Sequence, residues 1–173
     1  MKRSEAPNIT AHYVTYAEKV DDIELNEAFV KYGKDFILAQ RDKLFALGDK
    51  VYAPGKWTGK DILQHLIDAE RVFSYRAMRF ARNDRTALPS FDENNYAFTA
   101  EANRRDLSDL LDEFCVVRDS TSHLFESLTP EMLVRTGEVW SGTMSAAGIG
   151  FAIIGHNIHH FGILRERYYP LIT

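Results

Sequence analysis

Residues 145–168 read SAAGIGFAIIGHNIHHFGILRERY, and the reading of this stretch decides the fold. From Trp140 to Leu164 the chain carries no Asp, Glu, Lys or Arg. An apolar run of roughly 20 residues can span a bilayer. This one contains five glycines, and His156, Asn157, His159 and His160 lie near its centre, where hydrocarbon penalises them. A buried helix from Ser145 to Tyr168, stopped before Pro170, is therefore expected rather than a membrane span. At about 100° per residue, Ile149, Ile153, His156, His160 and Ile163 fall on one narrow stripe, so both histidines face a core. Phe151, Ile154, Ile158 and Phe161 lie opposite, which leaves the helix apolar on two sides.

Three more segments repeat with the helical period. The first runs from about Leu25 to Leu47 through Phe29, Gly33, Phe36, Ile37, Gln40 and Leu44, with Gly48 placed to stop it. The second opens at Thr58, where Thr-x-x-Asp resembles a capping box, and continues to about Arg82 through Ile62, His65, Ala69, Val72, Phe73 and Phe80. The third spans about Ala102 to Leu128, and Thr129-Pro130 then opens a short turn that Gly137 is expected to close. No period-two alternation, internal repeat or low-complexity tract competes with these helices. They predict an all-α four-helix bundle, one domain over residues 1–173 with its core at about 25–168. The connection between the second and third helices, about 83–100, is long for a bundle and allows a crossover. Its DRTALPSFDENNY (84–96) is a lid or pocket wall, or a cover over exposed core.

Composition narrows the function. In 173 residues, 21 Lys and Arg face 25 Asp and Glu, a formal charge of -4, so a phosphate-backbone partner is not expected. The single cysteine, Cys115, excludes an intramolecular disulfide framework and a Cys₄ zinc knuckle, and mid-helix it reads as a buried inert thiol. The opening MKRSEAPNIT has no apolar run of the secretory type, so a cytoplasmic location and no membrane partner are expected.

The chemistry concentrates in histidines. His156 and His160, four residues apart, project from one helical face and could share an ion. His65 occupies the buried face of the second helix, between Ile62 and Ala69. Three imidazoles in one bundle core are costly unless paired, and a divalent metal accounts for all three together. The competing reading is a metal-free core of hydrogen-bonded histidines. His159 lies about 60° from His156, in line with Gly148, Ala152, Gly155 and Gly162, and reads as a packing neighbour of the site. His12 and His123 lack such context.

The block WTGKDILQHLIDAERVFSYRAMRFARNDRTALPSFDENNY (57–96), followed downstream by GHNIHHFGILRERYY (155–169), resembles the DinB/YfiT-like metalloprotein superfamily. The resemblance implies an up-down-down-up four-helix bundle with a divalent metal held by three histidines, which match His65, His156 and His160. His159 matches an extra histidine that several members carry without ligating the metal. Some relatives are thiol-dependent transferases using low-molecular-weight thiols, so the resemblance implies a metal-dependent transferase or hydrolase of small molecules. A bundle that binds metal without catalysis is the alternative.

Three neutral ligands with an open position form a catalytic type of zinc site, although imidazole also suits nickel, copper or iron. Asp68, three residues after His65, and Asp61, one turn earlier, could orient a ligand imidazole. Arg76 could bind the carboxylate of a thiol cofactor or pair with an acidic neighbour. Asp92 and Tyr96 are pocket candidates by position. The apolar back face of the last helix predicts a homodimer through Phe151, Ile154, Ile158 and Phe161. Its competing covers are the segment at about 9–20 and the 83–100 connection.

Overall fold

The computed structural model describes residues 1–172. Helix α5 (Gly59–Ala81) begins where its capping signature places it: the Asp61 N–H donates to the Thr58 hydroxyl, and the Asp61 carboxylate accepts from the Thr58 N–H at 2.9 Å. Helix α7 (Leu107–Glu126) follows a short 3₁₀ turn at Ala102–Arg104. Helix α9 (Ala146–Ile163) is capped by Ser145, whose hydroxyl accepts from the Gly148 N–H at 3.0 Å, and widens into a π-type turn over Leu164–Tyr168.

The first predicted helix is not continuous. It is three short pieces, α2 (Leu25–Lys31), α3 (Lys34–Leu38) and α4 (Arg41–Leu47), which still bury Phe29, Ile37 and Leu44. Gly33 breaks the first joint, with its backbone at φ -83 and ψ -146. A Cβ there would meet the Phe29 carbonyl oxygen at 2.8 Å. The neighbouring Tyr32 carbonyl accepts instead from Arg118 of α7.

Other elements fill the connections. Helix α1 (Ala11–Ala17) precedes the bundle, α6 (Glu93–Ala100) occupies the long connection, and α8 (Pro130–Leu133) follows the Thr129 cap. A hairpin of β1 (Thr136–Val139) and β2 (Gly142–Ser145) corrects the expectation of no strands. Gly137 does not close a turn; it lies within β1, where a Cβ would stand 2.1 Å from the Phe80 ring. Gly142 supplies the positive φ of 122 at the hairpin turn.

Side-chain pairs fix the helix directions. Along α5 and α7, Gln64 meets Arg105, Arg71 meets Glu113 and Ser74 meets Thr121, so the two helices run parallel. The α2–α4 segment opposes α7, with Phe29 against Phe125 and Lys34 against Asp119. It runs with α9, since Leu25 approaches Gly150 and Phe36 approaches Phe161. The order is up-down-down-up. Parallel neighbours oblige the chain to return along the bundle, about 35 Å for a helix of this length, which explains the long α5–α7 connection.

Of the four residues expected at a dimer face, Phe151, Ile154 and Phe161 are 0 % exposed within the single chain, packed among Leu25, Phe29, Ile37, Phe114 and Phe125, so these three are core residues, while Ile158 is half-buried. The α2–α4 segment and α7 supply that cover, while α1 covers the small-residue side of α9 at Gly155. Among the described residues no helix is long and apolar enough to cross a membrane.

Candidate metal centre

Because α9 runs against α5, the N-terminal half of one meets the C-terminal half of the other. His65 Nε2 lies 3.1 Å from His156 Nε2, and His160 Nε2 lies 3.1 Å from the same atom. One donor nitrogen from each of the three rings falls within 4.8 Å of the others. A tetrahedral ion about 2.0–2.1 Å from each ligand sets its nitrogens about 3.3 Å apart, so the cluster is close to ligand spacing. Hydrogen bonding alone satisfies it poorly. The single Nε2 lone pair of His156 cannot accept well from two N–H groups at once, and three lone pairs aimed at one point repel unless a cation lies between them.

Aromatic rings hold the imidazoles. Trp57 lies 4.9 Å from His65, while Tyr16 and Phe73 lie 5.2 Å and 6.0 Å from His156. Two cavities reach the cluster. One, of about 420 Å³, ends at His156 between α1, the hairpin tip and the start of α6, and is lined by Tyr13, Tyr16, Phe73, Arg76 and Trp140. The other, of about 250 Å³, ends at His160 beside Tyr52, Lys56, Trp57 and Tyr168. Asn94 lines both.

The other predicted residues divide. Asp61 serves the α5 cap and accepts from Asn103 at 3.0 Å, so it is corrected to a structural role. Asp68 accepts from Gln64 at 3.0 Å and does not orient His65. Asp92 caps α6, accepting from the Asn94 and Asn95 N–H groups, yet it lines the larger cavity as expected. Tyr96 lies on a separate groove with Tyr75 and Leu88 and does not line either cavity at the histidines. His159 touches Tyr16 and His160 by ring contact outside the cluster of three. Arg76 is buried in the wall of the larger cavity. His12 lines that cavity too, against Tyr13 and Trp140, whereas His123 is exposed beside Glu126. Sequence reasoning missed Tyr13 and Tyr16; their three-residue spacing on a short helix was the available signal.

Burial keeps the imidazoles neutral. It pushes His65 down to about 4 and His160 to about 3, and holds His156 well below the ordinary range, with the neighbouring rings adding to the effect at His156 and His160. Their lone pairs are therefore free for a ligand at neutral pH. The unfolded chain takes up protons near pH 6.5 and the folded chain only below about 4, so acid favours unfolding. Metal-free protein is expected to lose about 2 kcal/mol per buried imidazole at most between pH 7 and pH 5. Thermal melts in that window should fall steeply; a flat midpoint would refute neutral, buried histidines.

A profile of the DinB superfamily matches residues 12–164. Among solved structures, YfiT from Bacillus subtilis superposes with a TM-score of 0.69 at 17 % identity, over 87 % of this chain and 91 % of that one. It is described as a probable metal-dependent hydrolase with an unusual four-helix bundle topology. No curated protein matches the sequence. With the match covering all the bundle helices and the three histidines, the chain belongs to the DinB superfamily.

Proposed function

We propose that His65, His156 and His160 hold one divalent ion, zinc foremost, and that the protein is a metal-dependent hydrolase of small molecules. The observation that carries this reading is the convergence of three neutral Nε2 atoms, two of whose rings each border a cavity. An ion in that position lowers the pKa of a water to about 7 or deprotonates a thiol. The ligands bring no charge of their own, so the site favours an anionic partner. Tyr16, Phe73 and Trp57 shield the rings from bulk water and restrict their tilt. The description of YfiT supports hydrolysis. Thiol transfer is the second reading, favoured by the two cavities, one at His156 and one at His160, which suit two small molecules.

Elemental analysis tests the assignment. Protein purified without a nickel column and equilibrated with zinc should hold about one ion per chain. His65→Ala and His160→Ala should each retain less than about a tenth of that, since the ligands act as a unit. Equal metal in all three samples would end the proposal.

A further inference from the structure

Among the described residues two arginines are buried, Arg76 and Arg118, and they are treated in opposite ways. Arg118 is paired on both sides of its fork, with Glu70 oxygens at 2.9 and 2.8 Å. Arg76 is 4 % exposed, yet its guanidinium meets only neutral oxygens, the Pro89 carbonyl at 3.0 Å and the Tyr13 phenol, and it forms no ion pair within 4.0 Å among the described residues. A desolvated guanidinium without an anion is unfavourable, and a fold that pairs Arg118 so fully has the means to pair Arg76. The charge instead borders the 420 Å³ cavity that ends at His156.

The rest of the wall fits an anion there. The Tyr13 phenol, 5 % exposed, is raised by burial against the lowering contacts of Trp140 and Arg76 on its oxygen, and it keeps its O–H as a donor beside Arg76. The Phe73 ring touches both Arg76 and His156. Arg76 Cζ is 5.9 Å from its centre and the His156 ring 6.0 Å from it, so guanidinium and imidazole are at most about 12 Å apart. Asp92 and Glu93 also line this cavity, but both are exposed at its mouth, where water and salt screen them, and Asp92 is engaged with the α6 N–H groups.

We infer that Arg76, with Tyr13, forms a carboxylate subsite, and that the ligand of this protein is a small molecule bearing a carboxylate a few bonds from the group that meets the histidines. The planar fork of arginine suits bidentate capture of a carboxylate, and the aromatic walls of Phe73, Tyr16 and Trp140 suit an apolar body between the two ends. The inference rests on the proposed metal site only for what happens at the far end of the ligand.

Calorimetric titration of metal-free protein keeps the two ideas separate, because it needs no ion. The probes are 3-phenylpropionate and 3-phenylpropan-1-ol, alike except for the charge. Wild type should bind the carboxylate about ten-fold or more tighter than the alcohol. Arg76→Gln should abolish that preference while leaving the weak binding of the alcohol, and Arg76→Lys should restore part of it. If Arg76 variants misfold, Glu93→Gln reads the same field from outside: binding of the carboxylate should tighten about two- to five-fold and that of the alcohol stay unchanged. Equal binding of both probes, no carboxylate binding at millimolar concentration, or a preference that survives Arg76→Gln in folded protein would overturn the subsite. Loss of metal binding in the histidine variants would leave this titration unaltered.

Discussion

Alanine at Gly155 should lower the thermal midpoint by about 10 °C or more, while alanine at Gly162 should raise it by a few degrees. Both glycines lie inside α9, and helix propensity alone favours alanine by about 0.5–1 kcal/mol at either position. The surroundings decide the sign. A Cβ at Gly155 would stand 1.9 Å from the Tyr16 carbonyl oxygen and 2.4 Å from its carbon, both backbone atoms that no rotamer change can move. A Cβ at Gly162 meets nothing within 4 Å. Gly155→Ala must therefore push α1 off α9 and loosen Tyr13, Ala17 and Val20 from the core they share with Ile149 and Ile153. Overpacking and lost burial together come to about 3–5 kcal/mol. The effect reaches the site, since Tyr16 carries the ring that flanks His156. Calorimetric melts of the two variants check this directly. Equal midpoints would mean that α1 is not seated on α9.

This contact also marks where the sequence was legible and where it was not. The 3.6-residue stripe on α9 reports the orientation of His156 and His160 correctly, because a buried helix must turn its polar groups toward partners. The Thr58–Asp61 cap fixes the start of α5 and with it the phase of His65. Both signals are local, and the cluster of three follows once two such helices oppose each other. The α2–α4 segment keeps the stripe but not the helix. Apolar spacing constrains which residues are buried, while Gly33 and the capture of the Tyr32 carbonyl by Arg118 interrupt the backbone. The cover over the second apolar face of α9, at Phe151, Ile154 and Phe161, is hidden from the sequence for a related reason. Helix α9 is enclosed by α5, α7 and the α2–α4 segment of the bundle and by α1 outside it, and topology of this kind has no local signature. The cavity walls were equally hidden. Tyr13, Trp140 and Asn94 come from α1, the hairpin tip and α6, elements too short to show a period.

Replacing Arg118 with methionine should destabilise the protein by about 3–5 kcal/mol, and adding Glu70→Leu to it should recover most of the loss. The two side chains are each 1 % exposed, at the boundary between the two apolar clusters that divide the bundle. Asn157 Nδ2 donates to Glu70 at 3.3 Å, while Arg118 also donates to Tyr32 at the break between α2 and α3. Removing the guanidinium alone leaves a buried carboxylate facing only an amide, and it orphans the Tyr32 carbonyl. Removing both charges leaves an apolar layer that joins the clusters, which is why the double variant should lie within about 2 kcal/mol of wild type in urea unfolding. The residual gap has two sources: the Tyr32 carbonyl still lacks its donor, and Asn157, whose Oδ1 already has no partner, loses its acceptor. Asn157 follows His156 directly in α9, so the polar layer that stabilises the bundle also sets the register of the histidine stripe. Additive losses in the double variant would show instead that Glu70 and Arg118 act independently, and that another contact holds α5, α7 and α9 in phase.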